Sequence, residues 1–305
     1  MKGKHLISID EFSREELEAI LAQTGRLKAE LKAGRGRSSL AGKSVAMIFE
    51  KASTRTRVSF QVGIQQLGGH PVFLPGHELQ LARGEPIRDT ARTLSRYVDA
   101  VVIRAHRHEE VVEFARFSRV PVINGLTDLV HPCQILADLF TLREQGLDLD
   151  RLTIAWIGDG NNVACSWINA SLLFRFELRL ACPEGYDPNP QILERARERG
   201  ARVKLTRDPQ AAAAGADALY TDVWISMGQE GEKEERLKSF AGFQINDELI
   251  GLAASGAKIM HCLPAHRGEE ITEEALEGEH SLVFEQAENR LHAQKAVLEL
   301  LVGQG

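Results

Sequence analysis

Short runs of consecutive apolar residues alternate along this chain with longer stretches in which apolar residues recur every three or four positions. Such runs are typical of parallel strands buried on both faces, and the stretches between them are typical of helices. The pattern predicts strands at Val45–Phe49, Pro71–Leu74, Ala100–Ile103, Val120–Ile123, Leu152–Ile157, Leu178–Cys182, Val203–Leu205, Ala218–Tyr220, Lys258–Met260 and Leu282–Phe284. Because strands and helices alternate, the chain is predicted to form βαβ units with parallel sheets.

Helices are predicted at both ends and in the middle of the chain. Ser13 to Glu16 has the form of a capping box and precedes an apolar periodicity, so it predicts the start of a helix. A long helical segment runs to about Glu144 and precedes the second series of strands. From Ala287 to Leu301, apolar residues share one helical face, so the last helix is expected to dock on another element. The fold class is therefore α/β, with two open parallel-sheet domains joined by helices.

Composition limits the classes of function. The chain has 305 residues, which favours two domains. Its formal net charge of −6 provides no overall positive field for nucleic acid or an anionic membrane, so neither is expected as a partner. Four cysteines lie far apart without metal-type spacing, so no metal site and a reducing, cytoplasmic location are expected. We see neither a signal peptide nor a run of about 20 apolar residues, which a membrane span requires.

Two nucleotide-binding motifs are approximated but not matched. Residues 36–44 resemble a P-loop, but the glycines are spaced by five residues instead of four, and the segment precedes its strand. Gly158-Asp-Gly160 follows a strand as a dinucleotide fingerprint does, yet Val163 occupies the position of the third glycine. A tight turn that requires Gly158 and Gly160 is the simpler interpretation.

The strongest chemical signal is Ser53-Thr54-Arg55-Thr56-Arg57, which directly follows the predicted strand Val45–Phe49. Helix-spaced apolar residues follow it, so these hydroxyls and guanidinium groups are expected at a helix N-terminus. Free backbone N–H groups and the positive end of the helix dipole favour an anion there. A plain N-cap needs only one hydroxyl, and so the segment favours a phosphate site.

Other polar residues also occur where predicted strands end or helices begin. Arg104 ends one strand, His131 opens the long middle helix, and segments beginning at Asp222 and His261 follow two further strands. Each of these residues has an ordinary structural explanation when taken alone. In open α/β sheets, however, the carboxyl ends of strands line the ligand crevice, so their shared position predicts one binding site between the two domains.

These motifs resemble those of a known family, the carbamoyltransferases. Phe49-Glu-Lys-Ala-Ser-Thr-Arg-Thr-Arg-Val-Ser-Phe60 and His131-Pro-Cys-Gln-Ile-Leu-Ala-Asp138 are similar to its carbamoyl-phosphate signatures. Asp222-Val-Trp-Ile-Ser-Met-Gly-Gln-Glu230 and His261-Cys-Leu-Pro-Ala-His-Arg-Gly-Glu-Glu270 are similar to its ornithine branch. The resemblance extends through Gly158-Asp-Gly-Asn-Asn162 and Ala287-Glu-Asn-Arg290, so it covers almost the whole chain.

The resemblance implies two substrate sites and three regions of the chain. It implies that carbamoyl phosphate is bound by Ser53, Thr54, Arg55, Thr56, Gln80, Arg104, His131, Gln134, Cys262, Leu263 and Arg290. Ornithine is expected to contact Asn162, Asp222, Ser226 and Met227. Residues 1–147 would form the carbamoyl-phosphate domain, residues 148–286 the ornithine domain, and residues 287–305 a helix that returns to the first domain.

The reaction that the resemblance implies is transfer of a carbamoyl group to the δ-amine of L-ornithine, giving L-citrulline and phosphate, as in arginine biosynthesis. The expected catalytic residues are Arg55, Arg104, His131, Asp222 and Cys262, with no cofactor or metal. Such enzymes are trimers, so we expect a homotrimer or a multiple of trimers, in which Gln80 serves the site of a neighbouring subunit. Two alternatives stay open: a carbamoyltransferase for another amine such as putrescine or aspartate, and a non-catalytic anion-binding relative.

The segment Ser226–Phe240 is rich in Gly, Glu and Lys and has no clear periodicity. It is therefore predicted to be a mobile loop, and the resemblance implies that it closes over ornithine after carbamoyl phosphate binds.

Overall fold

Parallel strands form two separate sheets in the computed structural model, which describes residues 1–225 and 230–303. The first of two compact units comprises Met1–Phe140 and Glu288–Gly305, and the second comprises Thr141–Ala287. The strands are β1 Ser44–Phe49, β2 His70–Pro75, β3 Ala100–Arg104, β4 Val122–Leu126, β5 Thr153–Ile157, β6 Glu177–Ala181, β7 Val203–Thr206, β8 Ala218–Thr221 and β9 Lys258–His261. Strand order is β2-β1-β3-β4 in the first unit and β7-β6-β5-β8-β9 in the second. Every paired strand runs parallel to its neighbour, as predicted.

Helices connect the strands in each unit. The α-helices are α1 Arg14–Lys32, α2 Thr54–Gln66, α3 Ile87–Leu94, α4 His108–Phe117, α5 Pro132–Glu144, α6 Asn162–Ala170, α7 Pro190–Glu198, α8 Pro209–Ala213, α9 Lys233–Ser239, α10 Asp247–Leu252, α11 Glu273–Glu277 and α12 Val283–Val302. Short 3-10 helices lie at Ile9–Glu11, Gly76–Glu78, Gln80–Arg83 and Glu230–Glu232. Among the described residues, no helix combines the length and apolar character that crossing a bilayer requires.

The predicted capping box begins α1: the Ser13 hydroxyl accepts a hydrogen bond from the Glu16 amide, and the Glu16 carboxylate accepts one from the Ser13 amide. The C-terminal helix packs back on the first unit, where the Gly3 amide donates to the Leu301 carbonyl (3.1 Å) and the Gln23 amide group donates to Glu299 (3.1 Å). The predicted fold class is confirmed.

The central strands are buried on both faces, which explains why they appear in the sequence as unbroken apolar runs. In β1, the five residues after Ser44 are at most 5% exposed. At about 25 cal/mol per Å² of apolar surface removed from water, this burial is the main stabilising contribution of each sheet.

Two predictions about local structure were wrong. Leu282–Phe284 is not a strand: only Ser281 forms a single bridge, with Ile259, and Val283 begins α12. The apolar positions of α12 continue backwards through Val283, so the short run is a first helical turn. Residues 233–239 of the predicted loop form α9, whose Arg236 is buried.

Candidate functional site

Strand pairing brings Arg104 beside the segment that leads into α2. Arg104 pairs with Phe49 in the register of β1 and β3, and its carbonyl accepts a hydrogen bond from the Glu50 amide (2.9 Å). Ser53 caps α2, since its hydroxyl accepts from the Thr56 amide at 3.3 Å. The first turn of α2 therefore follows the strand end that pairs with Arg104, which is the local arrangement expected of an anion site.

A buried polar cluster extends this site. Arg290 donates to the Thr56 hydroxyl (2.6 Å), and these two side chains are 4% and 1% exposed. His131, immediately before α5, is also buried, at 3% exposure. Burial and the positive charges of Arg290 and Arg104 hold the pKa of His131 well below its usual value. The imidazole is therefore neutral at pH 7, whereas the two guanidinium groups keep their charge.

The remaining candidates of the first unit lie in different environments. Gln134, in the first turn of α5, is completely buried and donates through Nε2 to Oδ1 of Asp138 (2.8 Å). Thr54 is exposed and Arg55 half-buried in the first turn of α2. Gln80 begins a 3-10 helix and is exposed. Among the described residues, no hydrogen bond joins its side chain to the others. The first unit brings together Thr56, Arg104, His131 and Arg290, and the Gln134 amide donates to the His131 carbonyl.

In the second unit, strand pairing places Asp222 next to Cys262. Thr221 pairs with His261 in β8 and β9, so the residues that follow leave the sheet side by side. The Cys262 thiol donates to Oδ1 of Asp222 (2.9 Å). The Asn161 amide group donates to Oδ2 of Asp222 (2.8 Å), while its side-chain oxygen caps α6. Both oxygens of the Asp222 carboxylate are thus fixed by neighbouring side chains.

The loop after β9 is held by a pair of side chains, His261 and Glu270, whose contact the sequence does not predict. His261 Nδ1 accepts from the Leu263 amide (2.9 Å), so Nε2 carries the proton and donates to Oε1 of Glu270 (3.0 Å). Both side chains are completely buried. Leu263 has a φ of +58°, a conformation uncommon for a residue other than glycine, and the hydrogen bond to His261 secures it.

Asn162, which was predicted to contact ornithine, begins α6 and is half-buried. Its neighbour Asn161 donates to Asp222. Nothing in two adjacent asparagines distinguishes which of them caps the helix and reaches the carboxylate. Ser226 and Met227 lie outside the residues that the structure describes.

The glycines of the apparent dinucleotide motif have a structural explanation. A Cβ atom at Gly160 would lie 2.1 Å from the Pro188 nitrogen, so only glycine permits this close approach of two backbone segments. Gly158 has a φ of +135°, which also favours glycine. These contacts support the tight-turn interpretation.

Two groups of side chains have the atoms that metal ions bind. Asp222, His261 and Cys262 form one group, and His266, Glu269 and Glu270 form the other, with ligand atoms within 4.8 Å of one another in each. In the first group, both nitrogens of His261 already take part in hydrogen bonds. In the second, Oε1 of Glu270 accepts from His261 and from the His266 amide. The arrangement therefore favours hydrogen-bonded positioning over metal binding.

Comparison with known proteins identifies the family. The carbamoyl-phosphate-binding domain of the aspartate/ornithine carbamoyltransferases matches residues 4–144, and the aspartate/ornithine-binding domain of that family matches residues 150–301. An ornithine carbamoyltransferase from Archaeoglobus fulgidus is 55% identical over 98% of both chains.

Solved structures agree with this result. The ornithine carbamoyltransferase from Pyrococcus furiosus is 47% identical, with a TM-score of 0.94 over 99% of this chain and 97% of the other. The one from Thermus thermophilus is 44% identical, with a TM-score of 0.90 over 99% of this chain and all of the other. The resemblance seen in the sequence is confirmed: the chain belongs to the aspartate/ornithine carbamoyltransferase family.

Proposed function

We propose that this chain transfers the carbamoyl group of carbamoyl phosphate to the δ-amine of L-ornithine, giving L-citrulline and phosphate. The observation that carries the proposal is the buried cluster of Arg104, Arg290, Thr56 and neutral His131 beside the N-terminus of α2. Two guanidinium groups and a helix N-terminus suit the charge of an acyl phosphate. The family and the names of the relatives support the choice of substrates.

The proposed roles in the first unit follow from charge and position. Ser53, Thr54, Arg55 and Thr56 bind the phosphate, Arg55 neutralises it as it leaves, and Arg290 makes a further contact with carbamoyl phosphate. Arg104 and His131 donate to the carbonyl oxygen, which gains negative charge as the amine attacks. A neutral imidazole serves here because it donates a hydrogen bond without adding a third positive charge. Gln134 contacts the carbamoyl nitrogen, and Gln80, Cys262 and Leu263 complete the contacts with carbamoyl phosphate.

In the second unit, Asp222 and Cys262 are proposed to orient ornithine, together with Asn162, Ser226 and Met227. The thiol of Cys262 donates to Asp222, which supports a role as an orienting group instead of a nucleophile. An amine attacks an activated carbamoyl group without an acyl-enzyme intermediate. Asp222 would fix the ammonium end of the ligand through its carboxylate.

The nucleophile must lose a proton before it attacks. An alkyl ammonium has a pKa of about 10.4, so selecting the free amine at pH 7 costs about 4–5 kcal/mol. We therefore expect turnover to increase as the pH rises from 7 to 9. The fixed position of the substrates compensates part of this cost.

We further propose a cytoplasmic homotrimer in which Gln80 serves the site of a neighbouring subunit. The four cysteines are free thiols, which suits a reducing compartment. The exposure of Gln80 agrees with a role outside its own site. Light scattering should give three times the chain mass of 33.8 kDa, or a multiple of that value.

We propose that residues 1–147 bind carbamoyl phosphate, that residues 148–286 bind ornithine, and that residues 287–305 return to the first domain. The test of the reaction is to incubate the purified protein with carbamoyl phosphate and, in parallel, ornithine, aspartate or putrescine. We expect citrulline from the ornithine reaction alone. Carbamoylation of aspartate or putrescine instead would assign another acceptor, and binding without any product would favour a non-catalytic relative.

A further inference from the structure

Gln134 and Asp138 occupy successive turns of one face of α5, four residues apart. Gln134 Nε2 donates to Oδ1 of Asp138 at 2.8 Å, and both side chains are completely buried. The backbone links Gln134 to the anion site, because its amide donates to the His131 carbonyl (3.1 Å). The pair therefore lies in the part of the first unit that is proposed to bind carbamoyl phosphate.

The chemistry of the pair determines which end of the Gln134 amide is available. The hydrogen bond that Gln134 Nε2 donates to Asp138 Oδ1 holds the NH₂ end of the amide against this carboxyl group. The other end, Oε1, is buried and accepts no hydrogen bond from any residue that the structure describes. A buried acceptor without a donor destabilises the protein, which favours a ligand that supplies the donor.

The two acyl phosphates that fit such a site differ at this atom. The carbamoyl group carries NH₂, which donates hydrogen bonds, whereas the acetyl group of acetyl phosphate carries a methyl group of similar size, which does not. If the amide of Gln134 were reversed, its own NH₂ would face the carbamoyl NH₂, and neither could accept. The orientation of one amide thus determines which acyl phosphate is preferred.

We propose that Asp138 is a positioning residue that turns Gln134 Oε1 towards the substrate and so makes the site select a carbamoyl over an acetyl group. This inference rests on the proposed carbamoyl transfer and adds a specificity determinant to it. A purely structural role for the pair, in which it only stabilises α5, makes a different prediction. It would weaken the binding of both acyl phosphates equally and leave their ratio unchanged.

The test is the ratio of the dissociation constants of acetyl phosphate and carbamoyl phosphate, measured by calorimetry on the full chain. We expect the unaltered protein to bind carbamoyl phosphate at least about tenfold more tightly than acetyl phosphate. One hydrogen bond to a buried acceptor provides a difference of this size. Asp138→Asn keeps the shape but presents either an oxygen or an NH₂ group, so Gln134 is free to reverse. We expect the ratio of the dissociation constants to fall by about threefold to tenfold in this variant.

Two further variants complete the design. Gln134→Leu removes the acceptor and should reduce the ratio to about one, and it decides the matter should Asp138→Asn fail to fold. Ile135→Val shortens another buried side chain of α5 and should keep the ratio of the unaltered protein.

An unchanged ratio in folded Asp138→Asn, or an unchanged ratio in Gln134→Leu, would overturn the inference. Citrulline formation is measured on the same samples and tests the reaction separately. A selective site that forms no citrulline refutes the proposed function alone. Citrulline formation with a ratio that no variant alters refutes the inference alone.

Discussion

Replacing Arg236 with methionine is expected to destabilise the second unit, and by more at pH 8 than at pH 5. Arg236 is 3% exposed and donates to the Trp224 carbonyl (2.6 Å) and to the Asp159 carboxylate. Its guanidinium also lies 4.7 Å from the ring centre of Tyr186 and 5.3 Å from that of Phe240. These contacts join α9 to the loop after β5.

The size of this loss of stability depends on the charge of Asp159. Burial raises the pKa of Asp159 to about 6, although the positive charge of Arg236 opposes the shift. This pKa exceeds the unfolded value of 3.8, so the shift stabilises the folded state below pH 3.8 and that contribution is lost as the pH rises through 6. Because the pKa is 3.8 in the unfolded chain and about 6 in the folded protein, ionised Asp159 costs roughly 3 kcal/mol of folding free energy at pH 8.

Without Arg236 the pKa of Asp159 rises further, because the opposing charge is gone. At pH 8 we expect the variant to lose about 3–5 kcal/mol, the usual result of breaking a buried ion pair. At pH 5 the carboxyl group is protonated in both proteins, so the loss should fall to about 1–2 kcal/mol. Arg236→Met retains most of the apolar volume, so the difference between the two pH values reports on charge.

The assay is urea unfolding at pH 5 and pH 8, followed by tryptophan fluorescence. Trp156 is a suitable reporter, since its indole donates to the Asp159 carbonyl (2.9 Å). The matched control is Asp159→Asn combined with Arg236→Met, which removes both charges and should lose the pH dependence. An equal loss at both pH values in the single variant would show that the pair contributes through packing alone and would refute this reasoning.

Three further substitutions test the site and the stability of the second unit. Cys262→Ser should lower kcat/KM for ornithine by about tenfold without abolishing turnover, because a hydroxyl still donates to Asp222. A folded but inactive variant, together with a trapped carbamoyl thioester in the unaltered protein, would contradict this. Arg104→Met should lower kcat by about 10²–10³-fold, as expected for a lost oxyanion donor, and an unchanged kcat would remove Arg104 from that role. Hydrogen bonds from Arg179 and Lys204 lower the pKa of Glu177 to about 2. Because this pKa lies below the unfolded value, the stabilisation is present above pH 4.5 and is lost as the pH falls towards 2. Glu177→Gln should therefore lower the free energy of unfolding in urea by about 1 kcal/mol at pH 7, after allowance for solvent screening. At pH 2 it should lower it by almost nothing.

The strands were predictable because burial on both faces leaves a signal within a few consecutive residues. The run Val45–Phe49 becomes all but the first residue of β1, and the run Val203–Leu205 becomes most of β7. Leu282–Phe284 shows the limit of this signal, since three apolar residues fit a strand or one turn of a helix equally well. The short helix α9 escaped prediction because its burial depends on Arg236, a residue whose type usually indicates solvent exposure.

The contacts in the candidate site are also of two kinds, those within one helix or strand and those between residues far apart in the sequence. Residues that act through their own helix or strand leave a local signal: Ser53 caps the helix it precedes, and Asp138 is one turn from Gln134. The hydrogen bond between Cys262 and Asp222 joins residues 40 positions apart, and only the pairing of β8 with β9 creates it. A single sequence contains the residue types for such a contact but not the register that brings the two together. A role for a residue such as Cys262, whose contact is with a distant part of the chain, can therefore be proposed only from the structure. The reaction assay then tests that role.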